Sequence, residues 1–288
     1  MDGVRRRLPW IPLLLLLVLL AAACGGGSDA ARVSTGRSTS TSTSTSTSTS
    51  TSVAADPTTT SKLGGSITVF AASSLTDVFT DLGKRFQDAH PGTKVTFSFA
   101  ASSTLANQVN QGAPADVLAT ADEESMQTAT KAGSTATPVR FARNLLRIIV
   151  AKGNPRGLTG LRDINHVSYA LCDPSVPCGR YAALAFKKSG VTASPDSYEV
   201  NVKAVVARVT SGELDAGVVY RTDVYAAKAK ADGIDIDGAD EPDLQNVYPI
   251  ALTSRGKGSA LAQAWIAYVA SADARAVLAS YEFLPPPG

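Results

Sequence analysis

The chain has little with which to run a reaction. Among its 288 residues there are two histidines, His90 and His166, and three cysteines. His90 sits in a helix-ending turn before Pro91-Gly92, and His166 stands just ahead of a strand-like run. A serine hydrolase needs a base beside its nucleophile, and no G-x-S-x-G elbow occurs. Nor do His, Cys and acidic residues cluster at metal-ligand spacing. Neither enzyme activity nor a cofactor is expected. Charge is scarce and balanced, with 18% of residues charged and a formal net charge of +2. Without a basic excess, nucleic acid is not an expected partner. The conspicuous apolar run, Ile11 to Leu20, is too short to span a bilayer.

That run has another use. Arg5-Arg6-Arg7 precedes it and Ala21-Ala22-Ala23-Cys24 follows it, the layout of a secretory signal. Small residues ending at a cysteine resemble a bacterial lipobox, although Ala21 stands where leucine is commoner. On this resemblance residues 1–24 are a lipoprotein signal peptide with Cys24 as the acylation site. The protein is then extracytoplasmic, held by a lipid anchor on the outer face of the cell membrane. The alternative is simple cleavage near Ala23, with Cys24 unmodified. Residues 25–62 hold almost nothing apolar, and Ser38 to Ser52 is a strict Ser-Thr alternation. Neither face of that repeat is hydrophobic, so it reads as a disordered tether open to glycosylation. Residues 63–288 remain as the folded body, long enough for two lobes.

What the body does have is one kind of turn, used twice. Ile67-Thr68-Val69-Phe70 runs into Ala71-Ala72-Ser73-Ser74-Leu75, and Val95-Thr96-Phe97-Ser98-Phe99 runs into Ala100-Ala101-Ser102-Ser103-Thr104-Leu105. Each is a β-prone run, then tiny residues, a hydroxyl pair and a helical pattern. A helix N-terminus carries unpaired N–H groups and partial positive charge. Two such turns aimed at one point make an anion site without a cationic side chain. The alternative is that both serines are ordinary N-caps.

Periodicity places the remaining elements. Leu75, Val78, Phe79, Leu82 and Phe86 fall at helical spacing, Val95 to Phe99 reads as a strand, and Leu105 to Gln111 as a helix. Asp116 to Ala119 is a short strand, and Asp122-Glu123-Glu124 suits a first helical turn. Leu145 to Ala151 reads as a central strand, Val167 to Leu171 as another, and Tyr181 to Lys188 as a helix. Val202, Val205, Val206 and Val209 make a helical stripe, and Asp215 to Tyr220 a strand. Val247 to Leu252 is a strand, and two helices over Leu261 to Val269 and Ala274 to Tyr281 end the chain. Alternating β and α predict an α/β fold with mostly parallel sheets flanked by helices. Ligands of such sheets bind beyond the carboxyl ends of the strands, where Ser74, Ser102, Cys178 and Tyr220 lie. Outside the cytoplasm the leftover pair Cys172 and Cys178 is expected to form a small-loop disulfide; the alternative is two buried free thiols.

Taken in order, Val69-Phe70-Ala71-Ala72-Ser73-Ser74-Leu75, Ser102-Ser103-Thr104-Leu105, Gly112-Ala113-Pro114-Ala115-Asp116-Val117, Asp173-Pro174…Pro177-Cys178-Gly179 and Gly217-Val218-Val219-Tyr220 resemble the periplasmic molybdate-binding proteins of ABC importers. The resemblance implies a two-lobe periplasmic-binding-protein fold with a hinge, lobe one being residues 63–142 plus 247–288 and lobe two 143–246. It implies capture of molybdate, and of tungstate, between the lobes by a monomer that delivers it to an ABC permease. It places ligand contacts at Ser74 and Ser102 through hydroxyl and N–H, at the Cys178 and Val202 N–H groups, and at the Tyr220 hydroxyl. Cys178 stands where the family often has alanine, a change that a backbone donor tolerates.

A bare tetrahedral dianion presents only acceptors, so a pocket of neutral donors suits it. Phosphate keeps a proton near neutral pH, which such a pocket leaves unpaired; sulfate has none and is left to be excluded by size. Tyr220 has an alternative as a core ring with a surface hydroxyl, and Val202 as core packing alone. Asp116 and Asp223 read as braces for loops, because a carboxylate beside a dianion is repulsive. Two other functions stay open: binding of sulfate, phosphate or a small organic acid, the last aided by Arg180 or Arg221, and a purely structural surface lipoprotein.

Overall fold

The computed structural model describes residues 63–288. The signal segment, Cys24 and the Ser/Thr tether lie outside the described residues. Strand β1 (Gly65–Ala72) buries Ile67, Val69 and Ala71, and a 3-10 turn over Ser73–Leu75 leads from it into α1 (Thr76–Ala89). Helix α1 buries Val78, Phe79, Leu82 and Phe86, the stripe its spacing predicts. Its Gly83 lets it press on β2 (Thr93–Ala100), since a Cβ there would stand 2.6 Å from the Phe97 ring. Next come α2 (Ser102–Asn110), β3 (Val117–Ala119), α3 (Glu123–Lys131) and β4 (Val139–Asn144). They are followed by β5 (Leu146–Ala151), β6 (Tyr169–Cys172), α4 (Pro177–Ser189), β7 (Ser197–Glu199) and α5 (Val202–Thr210). The chain ends with β8 (Ala216–Tyr220), α6 (Arg221–Ala226), β9 (Ala231–Asp235), β10 (Asn246–Leu252), α7 (Ala260–Val269) and α8 (Ala272–Ser280).

These strands form two five-stranded sheets, ordered β2-β1-β3-β10-β4 and β7-β6-β8-β5-β9. The expected parallel strands make the first three of each sheet, joined by helical crossovers. Two antiparallel strands complete each sheet. The sheets are thus mixed, and their parallel halves carry the turns singled out above. Trp265 of α7 is fully buried over the first sheet, edge-on to Phe79 and Phe86 at 5.7 and 5.5 Å between ring centroids.

Two boundaries differ from the sequence reading. The passage between sheets, expected near Ala142, falls at Leu145, because β4 stays paired with β10 as far as Asn144 opposite Asn246. Helix α4 begins at Pro177 rather than Tyr181, so Cys178 lies in its first turn. Proline has no N–H to lose there and its fixed φ suits the first helical position.

Candidate functional site

The carboxyl ends of the parallel strands from both sheets meet around one small cavity. Ser74, Ser102, Cys178, Val202 and Tyr220 all line it. The cavity is small, about 10 Å³. Alanines 72, 100, 101 and 121 fill much of the remaining wall, and none of the described residues lining it is charged.

Helices α2, α4, α5 and α6 all begin at residues of this wall, α6 directly after Tyr220. Helix α2 starts after Ala101 and α4 after Val176, both without a side-chain cap. Helix α5 is capped by Asn201, whose Oδ1 accepts from the Ala204 N–H and leaves the Val202 N–H free of that bond. The first N–H groups of a helix have no partner within it. At α2 and α4 nothing on the chain's own caps takes them, so partial positive charge collects at the cavity. The serines are not N-caps. Ala101 holds the cap position of α2, and Ser102 Oγ instead accepts from the Ala121 N–H at 2.9 Å. Ser74 lies inside the 3-10 turn, 2.9 Å from the Tyr248 hydroxyl.

The Tyr220 hydroxyl is not at the surface: the residue is 1% exposed and accepts from Asn246 Nδ2 at 2.7 Å. Burial pushes its pKa well above 10, with nearby Tyr248 and Asp122 adding to the effect, so the phenol stays neutral and keeps a proton to donate. Val202, the first residue of α5, is buried and also lines the cavity, so core packing and a site position coexist. Cys172 and Cys178 are joined by a disulfide with 5.7 Å between Cα atoms, fixing the first turn of α4 to the end of β6.

The charged residues near the site are paired with one another. Arg180 makes an ion pair with Asp122 and contacts Glu124 at 3.3 Å and Ser125 Oγ at 3.1 Å. Arg221 pairs with Glu282. Lys203 Nζ reaches Asp77 at 2.7 Å and Asp223 at 3.4 Å. The Arg180–Asp122 pair joins α4 to the start of α3 and the Lys203–Asp77 pair joins α5 to α1, so each ties helices that follow strands of different sheets. Asp116 accepts from the Thr68 N–H at 2.8 Å and from Arg255 at 3.0 Å, and Asp223 accepts from the Tyr220 N–H at 3.3 Å, so both brace loops. Sequence reasoning missed Asn144, Asn246 and Tyr248, all fully buried polar residues on β4 and β10. The available signal was slight: Asn246 opens an otherwise apolar β10, while Asn144 ends a β4 that also carries Arg140 and Arg143.

The sequence matches the family described as bacterial extracellular solute-binding proteins over residues 67–284. The molybdate-binding protein ModA of Mycobacterium tuberculosis (strain H37Rv) is 38% identical over 236 residues, covering 81% of this chain and 90% of the relative. The protein of the same name from Escherichia coli K12 is 34% identical over 236 residues, covering 76% and 89%. Among solved structures, the periplasmic molybdate-binding protein of Azotobacter vinelandii matches with a TM-score of 0.66 at 19% identity, covering 77% of this chain and 100% of that one. The sulfate-binding protein SubI of M. tuberculosis H37Rv also matches at 0.66, with 18% identity and coverage of 76% and 86%. At these identities the two structures speak to the fold alone. Fold, sequence match and relatives agree: the chain belongs to the bacterial extracellular solute-binding proteins, a family of binders rather than enzymes, and is a homologue of ModA.

Proposed function

We propose that this protein captures molybdate, and tungstate, in the cavity between its two sheets and hands it to an ABC permease in the membrane. The observation that carries the reading is a wall of neutral donors without a charged side chain. The hydroxyls of Ser74, Ser102 and Tyr220 and the N–H groups of Cys178 and Val202 hold the anion. Each charge-assisted bond contributes about 1.5–3 kcal/mol. Hydrogen phosphate brings a proton that these donors, two N–H groups and three hydroxyls already bonded within the protein, are not arranged to accept, at a cost of about 1–3 kcal/mol. Sulfate brings none and is separated by size. Because molybdate and tungstate are nearly equal in size, the site holds both. An organic carboxylate is disfavoured, since Arg180 and Arg221 are engaged with Asp122 and Glu282. The names of the curated relatives point to the same anion.

In this reading the two sheets are the cores of two lobes, with the hinge at Leu145 and ahead of Asn246. The Arg180–Asp122 and Lys203–Asp77 pairs hold the lobes closed. The protein acts as a monomer outside the cytoplasm, tethered by residues 25–62 to a lipid on Cys24. Among the described residues no helix is long and apolar enough to cross a membrane. Thermal melts of the purified protein with each anion test the binding. Ligand at about a thousand times its Kd stabilises by about 4.1 kcal/mol. Molybdate and tungstate should raise Tm strongly, sulfate and phosphate little; equal shifts with all four end the reading.

A further inference from the structure

Ser73, Ser74, Ser102 and Tyr220 bring hydroxyl side chains to the cavity lining, the last three being the proposed contacts, and a hydroxyl accepts as readily as it donates. What fixes the protons of those three lies behind them. Asn144 Oδ1 accepts from the Leu145 N–H at 3.0 Å, which sets the orientation of its amide. Its Nδ2 therefore donates, to Thr222 Oγ1 at 2.9 Å and to the Tyr248 hydroxyl at 3.3 Å. Tyr248 lies 2.9 Å from Ser74 Oγ. Among the described residues Ser74 Oγ is the one acceptor bonded to the Tyr248 hydroxyl, so the buried Tyr248 proton goes to Ser74 and the Ser74 proton is left for the cavity. The second relay runs in the same direction. Asn246 Nδ2 donates to the Ala121 carbonyl at 3.2 Å, a partner that only accepts, so the amide is again oriented. Its other proton goes to the Tyr220 hydroxyl at 2.7 Å, leaving the phenol proton for the cavity. The Ala121 N–H fills Ser102 Oγ in the same way. Among the described residues no protein acceptor takes any of these three protons.

We infer that Asn144, Tyr248 and Asn246 are positioning residues that aim the Ser74 and Tyr220 protons inward, and that this aim selects a fully deprotonated oxyanion over a protonated one. The inference rests on the proposed oxyanion site and deepens it. All three side chains are fully buried. Asn246 keeps Oδ1 unpartnered in the interior, a cost that a leucine of similar size would avoid, so its amide is retained for the two protons it donates. Asn144 and Asn246 are also direct neighbours across β4 and β10, where the chain passes between the sheets. The proposed hinge strands and the hydroxyl aim thus share the same residues.

The test is a calorimetric titration of the whole protein and its Tyr248→Phe and Asn246→Leu variants with molybdate and, in competition, with phosphate at neutral pH. Freed from its relay, a hydroxyl turns to accept the phosphate proton. Each variant should lose about 2- to 10-fold in molybdate affinity, the worth of one neutral hydrogen bond, with no loss for phosphate. The molybdate-to-phosphate ratio should fall by the same factor. A merely structural role weakens both anions alike, so an unchanged ratio in folded Tyr248→Phe overturns the inference even if Asn246→Leu fails to fold. A parent protein that binds no oxyanion overturns the inference together with the function it rests on, while a parent that binds beside variants with an unchanged ratio overturns the inference alone.

Discussion

Gly179→Ala probes how the backbone builds the site. Gly179 follows Cys178 in the first turn of α4, and a Cβ built on it stands 2.0 Å from the Asp173 carbonyl oxygen and 2.7 Å from that of Cys172. Both obstacles are backbone, at the end of β6 and in the loop that the Cys172–Cys178 disulfide closes. No side-chain rotation relieves them. Restoring ordinary contact moves the helix start by about 1.4 Å. Overpacking of this kind costs about 1–3 kcal/mol of stability. In the proposed site the same displacement would take the Cys178 N–H out of hydrogen-bond range of the anion. Losing one charge-assisted bond of about 1.5–3 kcal/mol lowers molybdate affinity about 10- to 150-fold. Calorimetric titration and thermal melts of parent and variant read the two effects separately. A variant that binds molybdate as tightly as the parent refutes the role given to the start of α4, and an unchanged Tm refutes the packing argument.

Other outcomes follow from the same geometry. Ser102→Ala removes one donor and strands the buried Ala121 N–H, so affinity should drop about 10- to 150-fold and stability by about 1–3 kcal/mol, read by titration and denaturant melts. Replacing Cys172 and Cys178 together by serine opens a loop of sequence separation 6, which lowers stability by roughly 2 kcal/mol and Tm by about 4–8 °C. Binding should change less than about threefold, because the donor is a main-chain N–H; a hundredfold loss would show that the bridge itself shapes the site. Burial raises the Tyr220 and Tyr248 pKa values above the usual 10, so molybdate affinity should stay level as pH rises from neutral toward 10. Above about pH 10 the unfolded chain loses tyrosine protons that the folded chain keeps, so stability should fall with rising pH; a Tm that climbs there contradicts the burial of these phenols.

Much of this architecture was written locally. The two Ala-Ser turns, the α1 stripe and the apolar runs of β5 and β8 each declare themselves within a few residues, because burial follows the period of the element. Ser74, Ser102, Cys178 and Tyr220 were legible because they sit at or just past strand ends, whereas Val202 was placed by the family resemblance alone, since β7 ahead of it went unread. What escaped depends on distance in sequence. Ser74 meets Tyr248 across 174 positions and Asn144 meets Tyr248 across 104, pairings fixed by the register of β10 rather than by any neighbouring residue. Strand β4 hid because its Arg140 and Arg143 interrupt the apolar pattern, and β7 and β9 because they are short and rich in Ser, Glu, Asp and Gly. The N-cap alternative for the serines could be decided only by seeing Ala101 in the cap position and Ser102 Oγ occupied by Ala121.

A crystal structure of the protein grown with molybdate tests the central claim most directly. The account predicts a tetrahedral anion held by the Ser74, Ser102 and Tyr220 hydroxyls and by the N–H groups of Cys178 and Val202, with Arg180 still paired to Asp122. An anion held by Arg180 or Lys203, or a cavity left empty at saturating molybdate, contradicts it.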